Sequence, residues 1–144
     1  PGLGCAFAVI PDAKLRHRFE RAMAGIVPHV NVLGLAACEA AYRDSGDWHR
    51  ELIAYLRANR DLVLAAVNRE KGVKMKPVEA TYLAWIDVRE LGLAKPAEHF
   101  EAHGLGLSDG ADFGAPGWLR LNFGCPRSTL EAALKRFSNA CRAT

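Results

Sequence analysis

The chain has 144 residues, of which half are hydrophobic and 24% are charged, a composition typical of one globular domain or of a piece of a larger protein. The formal net charge is only +3 and the basic residues are not clustered, which argues against a nucleic-acid-binding protein. No apolar run reaches the length of a membrane span, so we expect neither nucleic acid nor a membrane as a partner.

The cysteines and histidines give no pattern typical of a disulfide framework or a metal site. The chain has 4 cysteines, which are scattered without CxxC spacing, and we predict no metal ligands among them. A reducing, cytoplasmic location is therefore expected.

The first predicted element is a short buried strand over Cys5–Ile10, because this run is apolar and is bounded by glycines and a proline. A fully buried strand needs neighbours on both sides. No comparable run follows before Glu79, so we expect the other strands of this sheet to lie upstream. On this interpretation the chain is a C-terminal fragment.

Two helices are predicted next. Asp12 is well placed to cap the first, which carries Leu15 and Phe19 on one face. The second covers Val32–Tyr42 and is apolar nearly all round, which is typical of a deeply buried helix or of a helix in a subunit interface.

A third, longer helix is predicted at about Trp48–Arg69, after Gly46, which we expect to end the preceding helix in a left-handed conformation. At ~1.5 Å per residue the long helix would span ~30 Å, enough to link two domains.

The pattern changes to β after Glu79. A β-branched and aromatic run predicts a strand over Thr81–Val88, and Pro96 is placed at the first turn of a helix through Phe100. Leu105–Ser108 is a predicted short strand. The glycine-rich segment Asp109–Gly117 then forms either a mobile active-site loop or a plain connector.

The stretch GWLRLNFGCPR (Gly117–Arg127) alternates strictly, which predicts a strand with one core face and one polar face. The polar face carries Trp118, Arg120 and Asn122, and a guanidinium beside an amide suits a carboxylate or phosphate. The alternative is an arginine on a solvated edge strand. After the strand, Ser128–Glu131 predicts a capping box that opens a helix.

These segments together resemble a known family. PGLGCAFAVIPD at the start, HVN at His29–Asn31, EATYLAWIDV at Glu79–Val88 and LSDGADFGAPGWLRLNFGCPR at Leu107–Arg127 resemble class I/II aminotransferases, in particular the branch of bacterial cystathionine β-lyases and related C–S lyases. The resemblance implies a fold-type I enzyme dependent on pyridoxal 5'-phosphate (PLP), an amino-acid substrate and a homodimer with active sites at its interface.

The resemblance also implies a division of the chain. The expected fold class is α/β with an α+β small domain: residues 1–47 would end the PLP-binding large domain, residues 48–70 would form the interdomain helix, and residues 71–144 would form a C-terminal small domain with a three- to four-stranded sheet.

Site residues carry over from the family one by one. Arg120 resembles the arginine that binds the substrate α-carboxylate, and Asn122 would assist it. Asn31 lies in a loop that resembles the segment reaching towards the partner subunit's active site, where His29 is either functional or structural. Trp85 is expected in the core. The resemblance places the Schiff-base lysine upstream, so no catalytic residue is expected in this chain.

The leading prediction is thus the C-terminal fragment of a PLP-dependent aminotransferase or C–S β-lyase, which contributes the carboxylate-binding arginine and is inactive alone. The sequence does not separate the two reactions. The alternative is a non-catalytic domain for carboxylate binding or assembly, and exposed apolar surface could also make the fragment associate.

Overall fold

The computed structural model describes residues 2–144. The helices are α1 (Ala13–Met23), α2 (Val32–Asp44), α3 (Gly46–Val67), α4 (Pro96–Ala102) and α5 (Arg127–Arg142). The strands are β1 (Lys74–Met75), β2 (Leu83–Asp87), β3 (Ser108–Asp109) and β4 (Trp118–Asn122), and short 3₁₀ helices cover Arg89–Leu91 and Gly110–Phe113.

The chain forms two compact units, one ending at Arg50 and one covering Glu51–Thr144. The division into residues 1–47, 48–70 and 71–144 stays a prediction.

The first unit has little core of its own. Asp12 caps α1 as predicted, since its carboxylate accepts a hydrogen bond from the Leu15 amide at 2.7 Å. No residue of α1 is buried, and Gly34 is the buried residue of α2. The predicted Val32–Tyr42 helix is confirmed as α2, but most of its apolar side chains are exposed in this chain.

The prediction of a buried strand at Cys5–Ile10 is wrong for the structure of this chain. The segment is not a strand, and most of its side chains are exposed. A strand needs a neighbour for its backbone hydrogen bonds, and within residues 2–144 no strand pairs with this segment.

The second unit is built on an antiparallel sheet with the order β1-β2-β4-β3. In the central pair, Trp85 lies opposite Arg120 and Asp87 lies opposite Trp118. On the other side of β4, Ser108 lies opposite Arg120. The expected small sheet of three to four strands with helices is confirmed.

The core of the second unit lies between one face of this sheet and the helices. Alternate residues of β2 and β4 point into it, and α3 and α5 contribute their apolar stripes. Phe100 of α4 stacks on Phe137 of α5 with ring centroids 5.1 Å apart. The largest fully buried side chains are Phe100, Phe123, Phe137, Ile86, Leu119 and Leu130.

A buried amide connects α3 to the segment that follows β4. Asn59 is fully buried, and its side-chain nitrogen donates to the carbonyl oxygens of Phe123 at 2.9 Å and Cys125 at 3.1 Å. These bonds fix the end of the strand that carries Arg120 and Asn122.

Three local predictions need correction. Gly46 begins α3 instead of ending α2 in a left-handed conformation. The third short strand is Ser108–Asp109, shifted towards the C-terminal end of the predicted range. The capping box at Ser128–Glu131 is also wrong. The Leu130 amide already donates to the Pro126 carbonyl at 3.0 Å, so Ser128 lies inside the first turn of α5 and cannot cap it.

Among residues 2–144, none of the helices has both the length and the apolar character needed to cross a bilayer. Cys141 is buried, and burial raises the pKa of its thiol to about 12, as expected of a small core residue. Cys38 is only half-buried.

Candidate active site

The strand β4 separates two kinds of side chain, as its alternation predicts. Leu119 and Leu121 are buried in the core, whereas Trp118 and Arg120 are half-buried and Asn122 is exposed on the opposite face. We call this opposite face of the sheet the open face. It brings Arg120 and Asn122 together on a rigid element, two residues apart.

Arg120 is held in place by two groups on the open face. Its Nη2 donates to the Ser108 hydroxyl oxygen at 3.1 Å. Its Cζ lies 4.4 Å from the centroid of the Phe113 ring, so the ring covers one face of the guanidinium. None of the carboxylates in residues 2–144 forms an ion pair with Arg120. A half-buried cation without an anionic partner is well suited to an incoming anion.

Three aromatic rings contact one another on the open face beside this arginine, and we call Trp85, Phe113 and Trp118 the aromatic patch. Trp85 stacks on Trp118 with centroids 5.9 Å apart, and its ring is nearly perpendicular to the Phe113 ring at the same centroid distance. Trp85 is half-buried on the open face, so its expected core position is wrong. The cause is strand parity, because Trp85 alternates with the buried Ala84 and Ile86.

An open concavity of about 730 Å³ lies on the same face. Its lining includes the apolar Leu83, Trp85 and Trp118 and the charged Lys74, Asp87 and Arg89. Arg89 donates to both carboxylate oxygens of Asp87, at 2.9 and 2.7 Å, and these hydrogen bonds lower the pKa of Asp87. Asp87 therefore stays ionised beside the aromatic patch.

Asn122 uses its side-chain oxygen locally. This oxygen accepts the Gly124 amide at 2.8 Å, and the residue is exposed. The side-chain NH₂ takes no part in this bond.

Asn31 lies in the first unit and caps α2. Its oxygen accepts the Gly34 amide at 2.8 Å, and its NH₂ donates to the Leu3 carbonyl at 3.1 Å. Both ends of the amide are thus engaged within the first unit. His29 is an exposed loop residue.

All lysines of the chain are exposed: Lys14, Lys71, Lys74, Lys76, Lys95 and Lys135. The pKa values of Lys74 and Lys95 are raised by hydrogen bonds to Glu90 and Glu98. Imine chemistry needs a lysine whose pKa is lowered by desolvation, so these lysines do not suit it. No cluster of metal-ligating side chains occurs in the described part of the chain.

Sequence reasoning missed Ser108 and Phe113. Ser108 was included in a predicted strand, but its pairing opposite Arg120 follows from strand register. Phe113 lies in the glycine-rich segment, which has no hydrophobic periodicity that could reveal its partner.

Comparison with known proteins identifies the family. The family model for "Aminotransferase class I and II" matches residues 1–137. The chain belongs to this family, and the resemblance found in the sequence is confirmed.

Individual relatives show which members of the family this chain is similar to. The crystal structure of OvoB superposes with a TM-score of 0.93 at 49% identity, over 99% of this chain and 38% of that chain. Cystathionine beta-lyase PatB of Bacillus subtilis is 32% identical over 96% of this chain and 38% of its own length. The structure of cystalysin from Treponema denticola, which contains a pyridoxal 5'-phosphate cofactor, superposes with a TM-score of 0.79 at 28% identity, over 94% of this chain and 36% of that chain. The chain thus spans little more than a third of these relatives.

Proposed function

We propose that this chain supplies the carboxylate-binding side of the active site in a PLP-dependent enzyme that acts on an amino acid, with Arg120 as the group that binds the substrate α-carboxylate. The observation that carries the proposal is the setting of Arg120. It is half-buried on a rigid strand, oriented by Ser108 and Phe113, and unpaired with any carboxylate of residues 2–144.

The chemistry of the proposed step is binding and orientation. A guanidinium offers two parallel N–H donors to a carboxylate, and a half-buried position strengthens this pair relative to one in bulk water. The NH₂ of Asn122 would add a further donor from two residues along the strand. Holding the carboxylate restricts rotation of the amino acid, which lowers the entropic part of the reaction barrier.

PLP supplies an electron sink to amino-acid carbanions when it is bound. The described lysines do not fit its covalent attachment, because all are exposed. We therefore assign no step to the cofactor within these residues and propose that the 144-residue chain alone is inactive. Borohydride treatment of the chain mixed with one equivalent of PLP should leave only partial adducts spread over the exposed lysines in its mass spectrum, and stoichiometric modification of a single lysine would contradict this proposal.

The reaction is either C–S β-elimination or amino transfer. The name of the Bacillus subtilis relative, cystathionine beta-lyase, supports the lyase. A homodimer is proposed for the full-length protein, in which the loop carrying Asn31 would reach the partner subunit's active site. Because both ends of the Asn31 amide are engaged, its proposed contribution is to shape that loop as well as to contact substrate.

The role of Arg120 is tested by Arg120→Lys in the full-length enzyme. Lysine keeps the charge but cannot form the bidentate pair, so KM for the amino acid should rise and kcat/KM should fall about tenfold to hundredfold. Arg136→Lys, which changes an exposed arginine of α5, is the matched control and should leave kcat/KM unchanged. An unchanged kcat/KM in Arg120→Lys would refute the assignment.

A further inference from the structure

The guanidinium of Arg120 is restrained by residues that precede it in the chain. Ser108 lies directly across from Arg120 in the β3–β4 ladder, and its hydroxyl oxygen accepts from Nη2 at 3.1 Å. Phe113 approaches from the 3₁₀ helix that follows β3 and lies 4.4 Å from Cζ. One contact acts in the plane of the guanidinium, and the other acts on its face.

The position of Phe113 is determined by a tightly bonded turn. The Asp109 carboxylate accepts from the Ala111 amide at 2.9 Å and thereby caps the 3₁₀ helix. The Ala115 amide donates to the Gly110 carbonyl at 2.9 Å, which closes the turn. The segment predicted as a mobile active-site loop or a plain connector therefore contains a hydrogen-bonded turn in this structure.

Phe113 itself is 52% exposed, which is unusual for a large apolar side chain in an ordered turn. Its ring lies nearly perpendicular to the Trp85 ring, with centroids 5.9 Å apart, and against the Arg120 guanidinium. The ring thus gains little from burial, and its two specific contacts both lie at the proposed carboxylate site.

We propose that Phe113 and Ser108 are positioning residues for Arg120, and that they restrict the site to one carboxylate bound in the plane of the guanidinium. This inference rests on the proposed function of Arg120. The N–H bonds of a guanidinium lie in its plane, so an anion is hydrogen-bonded at an edge, and the Phe113 ring occupies one face. A guanidinium can bind a carboxylate with two hydrogen bonds along either of two edges, and Nη2 contributes one hydrogen to each edge. Because one Nη2 hydrogen is donated to Ser108, one complete edge remains for a ligand.

The experiment is NMR of the full-length enzyme with the arginine Nε–Hε groups labelled, using L-alanine as the probe and L-alaninamide as its match without a carboxylate. In the enzyme without either probe, the Phe113 ring should displace the Arg120 signal upfield. Phe113→Leu should abolish this displacement and weaken L-alanine binding about threefold to tenfold. Phe113→Tyr keeps the ring and should restore both values.

Two control variants, Phe7→Leu and Ser128→Ala, test whether the effects are specific to the Phe113 ring and the Ser108 hydroxyl. Phe7→Leu removes another exposed ring, which has an aromatic partner, Tyr42, at 5.5 Å but is not stacked on an arginine. Ser108→Ala should weaken L-alanine binding, whereas Ser128→Ala on the exposed first turn of α5 should not. Near-ultraviolet circular dichroism verifies that each variant is folded.

The possible failures are distinguishable. If Arg120→Lys binds L-alanine as tightly as the wild type, or if the wild type does not prefer L-alanine to L-alaninamide, the proposed function is refuted and this inference falls with it. If Arg120→Lys loses binding but Phe113→Leu keeps both the signal position and the affinity, only the positioning role is overturned. A failure of Phe113→Tyr to restore the values would overturn it as well.

Discussion

At the scale of single residues, Asp87 shows which charges of the open face are paired within the protein. Asp87 lies opposite Trp118 in the sheet, and its carboxylate is paired with Arg89. The Cζ of Arg89 lies 5.4 Å from the centroid of the Trp118 ring. This internal pair leaves the Asp87 charge neutralised locally. Arg120 lies two residues further along β4 than Trp118, and it keeps its charge for a ligand.

The Asp87–Arg89 pair predicts a defined dependence of stability on pH. The hydrogen bonds from Arg89 lower the pKa of Asp87 in the folded protein, so the folded state binds this proton less readily than the unfolded chain. The stabilisation is present above the unfolded aspartate pKa of about 3.9 and is lost as pH falls through the lower folded value.

Asp87→Asn should therefore reduce the free energy of unfolding near neutral pH, and the difference from wild type should shrink as pH is lowered below about 4. Urea unfolding across this range measures it, with the exposed Asp112→Asn as control. A difference that stays constant with pH would contradict the pairing.

Residue-scale prediction succeeded where the chemistry lay within one strand. The alternation of β4 placed Trp118, Arg120 and Asn122 on one face and the leucines in the core, and the structure confirms this arrangement. The partners of Arg120 could not be predicted in the same way. Phe113 contacts Arg120 because of a turn whose conformation depends on backbone hydrogen bonds. The periodicity of the sequence does not predict such a turn.

At the scale of elements, the 3₁₀ helix Gly110–Phe113 depends on a glycine that is packed against backbone. A Cβ at position 110 would lie 2.6 Å from the Trp118 carbonyl oxygen and 2.8 Å from the Trp118 Cβ, and it would also collide with the Ala115 carbonyl oxygen. These atoms belong to the turn and to the first residue of β4, so neither can easily move away.

Gly110→Ala should accordingly destabilise the second unit by about 1–3 kcal/mol, as overpacking does. Gly106→Ala is the matched control, because a Cβ there meets no atom of residues 2–144 within 4 Å and its φ is not positive. That variant should be neutral or slightly stabilising. Thermal unfolding compares the two, and equal midpoints would contradict the packing described here.

Elements were predictable where the signal was local. The amphipathic pattern of α1, its Asp12 cap and the proline that begins α4 are all confirmed. The prediction at Cys5–Ile10 failed because strand formation depends on a partner that residues 2–144 do not provide. The capping box at Ser128–Glu131 failed because α5 begins two residues earlier than a Ser128 cap would place it, directly after Pro126.

At the scale of the whole molecule, the two units differ in how much apolar surface they bury. The second unit contains all the buried hydrophobic core residues of the described chain. The first unit instead leaves large apolar side chains exposed, among them Phe7, Val9, Leu15, Ile26, Val32 and Leu33. Burial of apolar surface is the main favourable term in folding, so the first unit should be the less stable one.

Hydrogen exchange of the 144-residue chain tests this difference. Amides of α1 and α2 should exchange much faster than those of β2, β4 and α5, because their helices open locally without exposing a core. Equal protection in both units would contradict the prediction. The expected association of the chain through its exposed apolar surface would appear as concentration-dependent protection in α2.

The most direct test of the central claim compares inhibition of the full-length enzyme by L-alanine and by L-alaninamide, in the wild type and in Arg120→Lys. The two ligands share the amino group and differ in the carboxylate, so their ratio of inhibition constants isolates the carboxylate contact. The wild type should prefer the acid about tenfold to hundredfold, and Arg120→Lys should bring the ratio close to one. An unchanged preference in Arg120→Lys would show that another group binds the carboxylate.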